Sequence, residues 1–166
     1  SIAAEVNGEL RVGVVHEPLA GRTYEAVAGR RALCDGRPLA VRRQARLADA
    51  LVATGFAYDA AQRARQGAAL AHILPRIRDI RRAGSAALDL CQVAAGRVDA
   101  YFELDLNPWD YAAGSVIARA AGADVRHLTA AHGRGPAVVA APPALMPALL
   151  ELLVEAGALV GGDGGG

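Results

Sequence analysis

The chain has 166 residues, enough for one domain of ordinary size, and a domain of that length buries roughly 68–70% of its unfolded surface. With 53% hydrophobic and 21% charged residues it has the composition of a compact folded protein, which excludes a disordered chain. Eighteen basic side chains against seventeen acidic ones leave a net charge of +1, so no global field draws it to nucleic acid or anionic lipid and any anion binding must be local.

From Ser1 to Val41 short β-type runs alternate with turn signals. SIAAEV leads to Asn7-Gly8, RVGVVHEPL to Ala20-Gly21, TYEAVAG follows, and ALCDGRPLAV carries Asp35-Gly36. Asn-Gly and Asp-Gly both tolerate the positive φ of a type I′ turn, so this stretch predicts an antiparallel meander. After Arg46 the period changes. ALVATGF reads as a strand, Gln62 to Ile77 as a helix, DIRRA as a strand and Ser85 to Ala95 as a helix. The strand VDAYFEL, a helix from Pro108 to Ala121, the strands ADVRHL and AVVAA, and a helix from Pro143 to Ala156 complete the pattern. Such alternation implies crossover units and a largely parallel or mixed sheet covered by helices. The expected organisation is a meander over 1–46, an α/β subdomain over 47–160 and a disordered glycine-rich tail over 161–166.

Cys34 and Cys91 lie far apart and form no CxxC pair, which argues against a disulfide framework and a zinc site and for a reducing cytoplasm. No run approaches the ~18 consecutive apolar residues of a membrane helix, and the start lacks a signal-peptide pattern. SIAAEVNGEL already reads as a strand entering a turn, as if the sequence opened in the middle of something longer.

Three stretches can carry chemistry. In RRAGSAALDL a β-rich run ends at Gly84, and Ser85 opens a helix whose unpaired first-turn amides suit an oxyanion or hydroxyl. A plain capped helix is the competing reading. In VDAYFELDL the residues Val98, Ala100, Phe102 and Leu104 alternate with Asp99, Tyr101, Glu103 and Asp105, placing acids near the C-terminal end of a strand, where open α/β sheets form their crevices. A solvated strand face with edge charges is the competing, blander reading. In NPWDYAAG, Asn107 is the expected N-cap, Pro108 fits the first helical position and Asp110 falls at the third, where a carboxylate complements the macrodipole. Capping alone explains the aspartate. Trp109 beside it as a wedge, and the small face of Ala112, Ala113 and Gly114, suggest in addition a rigid ligand for a hard cation such as Mg²⁺.

Taken in order, GSAALDL, VDAYFE and PWDYAAG resemble the inositol monophosphatase family of Mg²⁺-dependent, lithium-sensitive phosphatases. WDYAAGSVIARAAGA, from Trp109 to Ala123, satisfies the family's C-terminal signature at every constrained position, and Gly84 to Glu103 matches the stretch before it. GVVHEPLAGRTYEAVAGRRALCDGRPLAV resembles the family's hairpins, and LADALVATGFAYD the segment after them. The resemblance implies an α/β (α+β) layered αβαβα sandwich, here with part of the antiparallel sheet and the complete C-terminal mixed sheet with its flanking helices. It implies Mg²⁺ held by Asp110, substrate contacts from Gly84, Ser85, Ala86 and Glu103, and weaker candidates in Arg81 and Arg82. EPLAGRT mimics the family's metal-binding DP-DGT loop in letters, but it sits in the later hairpin, so Glu17 is assigned no metal role. The true DP-DGT loop and the Gly-Glu-Glu motif are not in the sequence, so a C-terminal portion of a longer protein, inactive by itself, is expected.

The implied activity is hydrolysis of inositol monophosphate or a similar small phosphorylated alcohol, with histidinol phosphate, fructose 1,6-bisphosphate and 3′-phosphoadenosine 5′-phosphate as rival substrates. A cytoplasmic homodimer without membrane or nucleic-acid partners is the companion expectation. The competing class is a degenerate, non-catalytic relative acting as a dimer or as a partner- or RNA-binding protein. Arg76, Arg78, Arg81 and Arg82 would supply such contacts, although the balanced net charge offers no wider basic surface. His16, His72, His127 and His132 lack paired metal-ligand spacing.

Overall fold

A computed structural model of the chain describes residues 1–133 and 135–160. The tail expected at 161–166 lies outside the described residues. Strands β1 (Ile2–Val6), β2 (Glu9–Glu17), β3 (Arg22–Val27), β4 (Leu33–Cys34) and β5 (Arg37–Pro38) form one antiparallel sheet in chain order. The Asn-Gly and Asp-Gly turns are left-handed at both residues, with φ of 54° and 78° at Asn7 and Gly8 and of 49° and 76° at Asp35 and Gly36. This is the dihedral pattern that lets a two-residue loop match the right-handed twist of its strands. The meander predicted from these turns is therefore the observed one.

The second sheet is mixed, in the order β7-β6-β8-β10-β9. Its strands are β6 (Leu51–Thr54), β7 (Asp79–Arg81), β8 (Ala100–Glu103), β9 (Asp124–Thr129) and β10 (Pro136–Ala141). β6 pairs parallel with β7 and β8, while β10 pairs antiparallel with β8 and β9. The parallel pairs are the consequence of two helical crossovers, α1 (Ala60–Ile73) and α2 (Ala86–Ala94). The antiparallel end follows from α3 (Pro108–Ala120), which is followed by the β9 to β10 pair, and α4 (Met146–Glu155) closes the fold.

The helices sort into two layers. α2 and α3 lie between the sheets, where Ala87, Cys91, Ala113, Val116 and Ile117 pack on Val15, Tyr24 and Ala26 of the first sheet. α1 and α4 cover the far face of the second sheet through Ala69, Ile73, Leu149, Leu152 and Leu153. The order sheet, helices, sheet, helices is four consecutive layers of the expected sandwich. The small face of α3 does what its composition suggests: a Cβ on Gly114 would lie 2.7 Å from Leu90 Cβ on α2.

Both ends of α1 differ from expectation. α1 begins at Ala60, because Asp59 caps it by accepting from the Gln62 amide, and it gives way at Leu74–Arg76 to a 3₁₀ turn. Pro75 has no N–H to continue the α ladder, which is why the helix does not run on to Ile77. The second sheet is also covered on both sides. Tyr101, expected on a polar strand face, is fully buried against α2 and α3, and Asp99 is 1% exposed, accepting from the Leu51 amide at 2.8 Å.

Candidate functional site

A cavity of about 530 Å³ opens where the C-terminal ends of β6 and β8 meet the N-termini of α2 and α3. Parallel strands place their ligand crevice at this end, because the following loops and helix starts converge there. Gly84, Ser85 and Ala86, Glu103, Asp110 and Arg82 all line it. Arg81 does not. Its guanidinium is held by the Asp79 carboxylate at 2.6 Å and the Ile80 carbonyl at 2.7 Å, so the edge strand ties it to its own residues. The expectation that both arginines flank the cavity is corrected to Arg82, which lies past the end of β7.

At the start of α2, Gly84 has φ +96°, a conformation that glycine adopts without strain. A Cβ there would also lie 2.9 Å from the Arg82 guanidinium. Ser85 is extended at φ −142°, and its hydroxyl accepts from the Leu88 amide at 3.4 Å. The Ala86 and Ala87 amides precede the first intrahelical bonds, and both residues face the cavity. This end of the helix can therefore donate to a hydroxyl or phosphate oxygen.

At the start of α3 the Asp110 amide donates to the Asn107 carbonyl at 2.9 Å, while the Asn107 amide donates to Asp110 Oδ2, also at 2.9 Å. The reciprocal pair locks the carboxylate to the helix start at the cavity wall. Trp109 does not wedge it: the indole is 71% exposed at the cavity mouth. Tyr111, the residue after Asp110, points away and meets His127 edge to face at 4.6 Å.

Glu103 at the wall and two buried groups behind it, Tyr101 and Asp89, set the electrostatics. Glu103 accepts the Tyr101 hydroxyl at 2.9 Å. Burial pushes the Glu103 carboxyl above the usual range and the Asp110 charge adds to this, whereas the Tyr101 hydroxyl and the Arg82 guanidinium oppose it. Asp89 on α2 is 2% exposed and its Oδ2 has no hydrogen-bond partner among the described residues. Burial, then the charge of Glu103, pushes Asp89 up to about 7, with Arg82 pulling the other way. The sequence does not single out Asp89, and it places Tyr101 only on a polar strand face. The only hint at Asp89 was a lone acid between Leu88 and Leu90 on an apolar helix face.

The donor chemistry suits a hard cation in kind, since Asp110 and Glu103 both bring carboxylate oxygens to the cavity. In number it is sparse: among the described residues no three His, Cys, Asp or Glu side chains gather at a metal position. Asp110 can supply one ligand to such an ion.

Comparison with known proteins places the chain in a family. The model of the inositol monophosphatase family matches residues 1–158. The chain belongs to the inositol monophosphatase family. The inositol-1-monophosphatase of Mycobacterium leprae is 46% identical over 159 residues, covering 92% of this chain and 55% of the relative. The Nus factor SuhB of Escherichia coli is 40% identical over 133 residues, covering 80% and 50%. Among solved structures, Mycobacterium tuberculosis SuhB superposes with a TM-score of 0.87 at 42% identity, covering 95% of this chain and 64% of that one. The inositol monophosphatase of Anabaena gives 0.79 at 33% identity, covering 90% and 61%. The chain thus spans about half the length of the curated relatives it matches. Within the family the sheet, helix, sheet, helix order is the shared fold, and no helix among the described residues is long and apolar enough to cross a membrane.

Proposed function

We propose that the full-length protein carrying this chain is a cytoplasmic, homodimeric Mg²⁺-dependent phosphomonoesterase acting on inositol monophosphate or a similar small phosphorylated alcohol. The observation that carries the reading is the convergence of Asp110, Glu103, Arg82 and the α2 helix start on one cavity. The name of the M. leprae relative supports the same chemistry.

In this reading Asp110 holds a Mg²⁺ ion. When bound, the ion offsets the dianionic charge of a phosphate monoester and lowers the pKa of a coordinated water. The chain's own residues do the rest. The Ala86 and Ala87 amides and the Ser85 cap receive oxygens of the substrate, and Arg82 lends a positive charge at the same wall. Glu103 accepts from the alcohol's hydroxyls, which favours a polyol over a nucleotide.

A second reading is a partner-binding role, supported by the E. coli relative's name, Nus factor SuhB. Here the sandwich would act as a docking body and the cavity would be inert. A phosphate-release panel on the full-length protein separates the two. Mg²⁺-dependent turnover of inositol 1-phosphate above histidinol phosphate, fructose 1,6-bisphosphate and 3′-phosphoadenosine 5′-phosphate supports the first, and no turnover of any of them supports the second.

A further inference from the structure

Glu103 occupies a place that two other residues make for it. β6 and β8 run parallel with Thr54 opposite Phe102, so the next step up the ladder sets Gly55 beside Glu103. A Cβ built on Gly55 falls on the carboxyl group of Glu103, so any side chain there would expel it. Residues 101 and 103 lie on the same face of β8, two apart, and the Tyr101 hydroxyl reaches Glu103 Oε2 at 2.9 Å. Tyr101 is completely buried, and this is the one hydrogen bond in which its hydroxyl is the donor among the described residues. The contact fixes one carboxylate oxygen from below, and the absent Cβ of Gly55 leaves room for the group at the cavity wall.

We propose that Tyr101 and Gly55 are positioning residues for Glu103, fixing its carboxylate as a preset acceptor for adjacent hydroxyls of a polyol ligand. The inference rests on the assignment of Glu103 as a hydroxyl-binding group. A free glutamate would sample several rotamers, and ordering a side chain of this length on binding costs affinity. Burying the charge is unfavourable, and the phenol donor offsets part of that while selecting one rotamer. The pair therefore sets preference between substrates and not the rate of phosphate chemistry. Esters with neighbouring hydroxyls gain from the clamp, and esters without them gain nothing.

The test compares myo-inositol 1-phosphate with p-nitrophenyl phosphate, which has no neighbouring hydroxyls, in the full-length protein. Tyr101→Phe keeps the ring and removes the donor. It is expected to raise KM for the inositol ester by about tenfold, with kcat inside about twofold and KM for the nitrophenyl ester unchanged. In a Glu103→Gln background the same substitution should cost nothing further, because its effect passes through that carboxylate. An equal loss on both esters, or an undiminished loss in the Glu103→Gln background, overturns the proposal and leaves Tyr101 as packing. If Glu103→Gln alone leaves both KM values in place, the hydroxyl-binding assignment itself falls and takes the inference with it. If the wild type turns over neither ester, the phosphatase reading fails, and a crystal structure of Gly55→Ala decides the positioning claim. A displaced Glu103 carboxylate supports it, and an unmoved one overturns it.

Discussion

The amide of Asn107 donates to Oδ2 of Asp110 at 2.9 Å, so this carboxylate serves the helix before any ligand arrives. The bond separates two roles that a sequence motif merges. Asp110→Asn keeps an acceptor oxygen for Asn107 but loses the charge. As a cap the change costs about 0.3–1 kcal/mol, a small shift in melting temperature. As a metal ligand it is decisive, and Mg²⁺-dependent phosphate release by the full-length protein should vanish. Unchanged turnover would leave capping as the residue's whole task.

Gly114 tests the packing that holds both helix starts at the cavity. Its missing Cβ lets α3 lie close against α2: a Cβ added there would fall 2.7 Å from Leu90 Cβ and 3.2 Å from the Ala87 carbonyl oxygen. Gly114→Ala forces the helices apart in a layer covered by a sheet on each side, and overpacking of this kind costs about 1–3 kcal/mol. A thermal melt of the chain should show that loss. An unchanged melting temperature would mean that the two helices can separate freely, and that the small face of α3 has no structural purpose.

Asp89 gives the protein a pH signature. Its folded-state pKa is pushed up to about 7, well above the ~3.9 of an unfolded aspartate. The folded state then binds the proton more tightly, so stability is intact below pH ~4 and is lost progressively as the pH rises through 7. Asp89→Asn cannot ionise. Between pH 5 and 8 the wild type should lose melting temperature relative to this variant, and because the Glu103 charge acts on Asp89 the difference reports the coupled pair. Parallel profiles would show that Asp89 has found a partner for its orphaned Oδ2.

What the sequence revealed divides along the same line. The turns at Asn7-Gly8 and Asp35-Gly36 and the capped start of α3 are decided by adjacent residues, and they were legible. The convergence of Gly84, Ser85, Glu103 and Asp110 on one cavity follows from short motifs at the end of β8 and the starts of α2 and α3. Tyr101 was misread because strand alternation reports a polar face only when that face meets water, and here α2 and α3 cover it. Arg81 was separated from Arg82 by its bond to Asp79, a choice between neighbours that charge alone does not make. Gly55 and Asp89 act through segments 48 and 14 residues away from Glu103, and only the β6–β8 register and the α2 packing bring them there.

The isolated chain of residues 1–166 should release no phosphate, although it carries the cavity. A two-ion site sets its cations about 3.5–4 Å apart, and like charges that close need several carboxylates around them. Among the described residues no three ligating side chains gather, so Asp110 would have to hold an ion almost alone. Mg²⁺ gives up its waters reluctantly and would remain largely hydrated at such a position. Mn²⁺ titrated into the chain should therefore broaden NMR signals from residues beside Asp110 only weakly and without saturation, while phosphate release stays at background. Tight saturable binding together with turnover would show that one carboxylate and the α2 helix start suffice, and the assignment of the remaining ligands to the rest of a longer protein would be wrong.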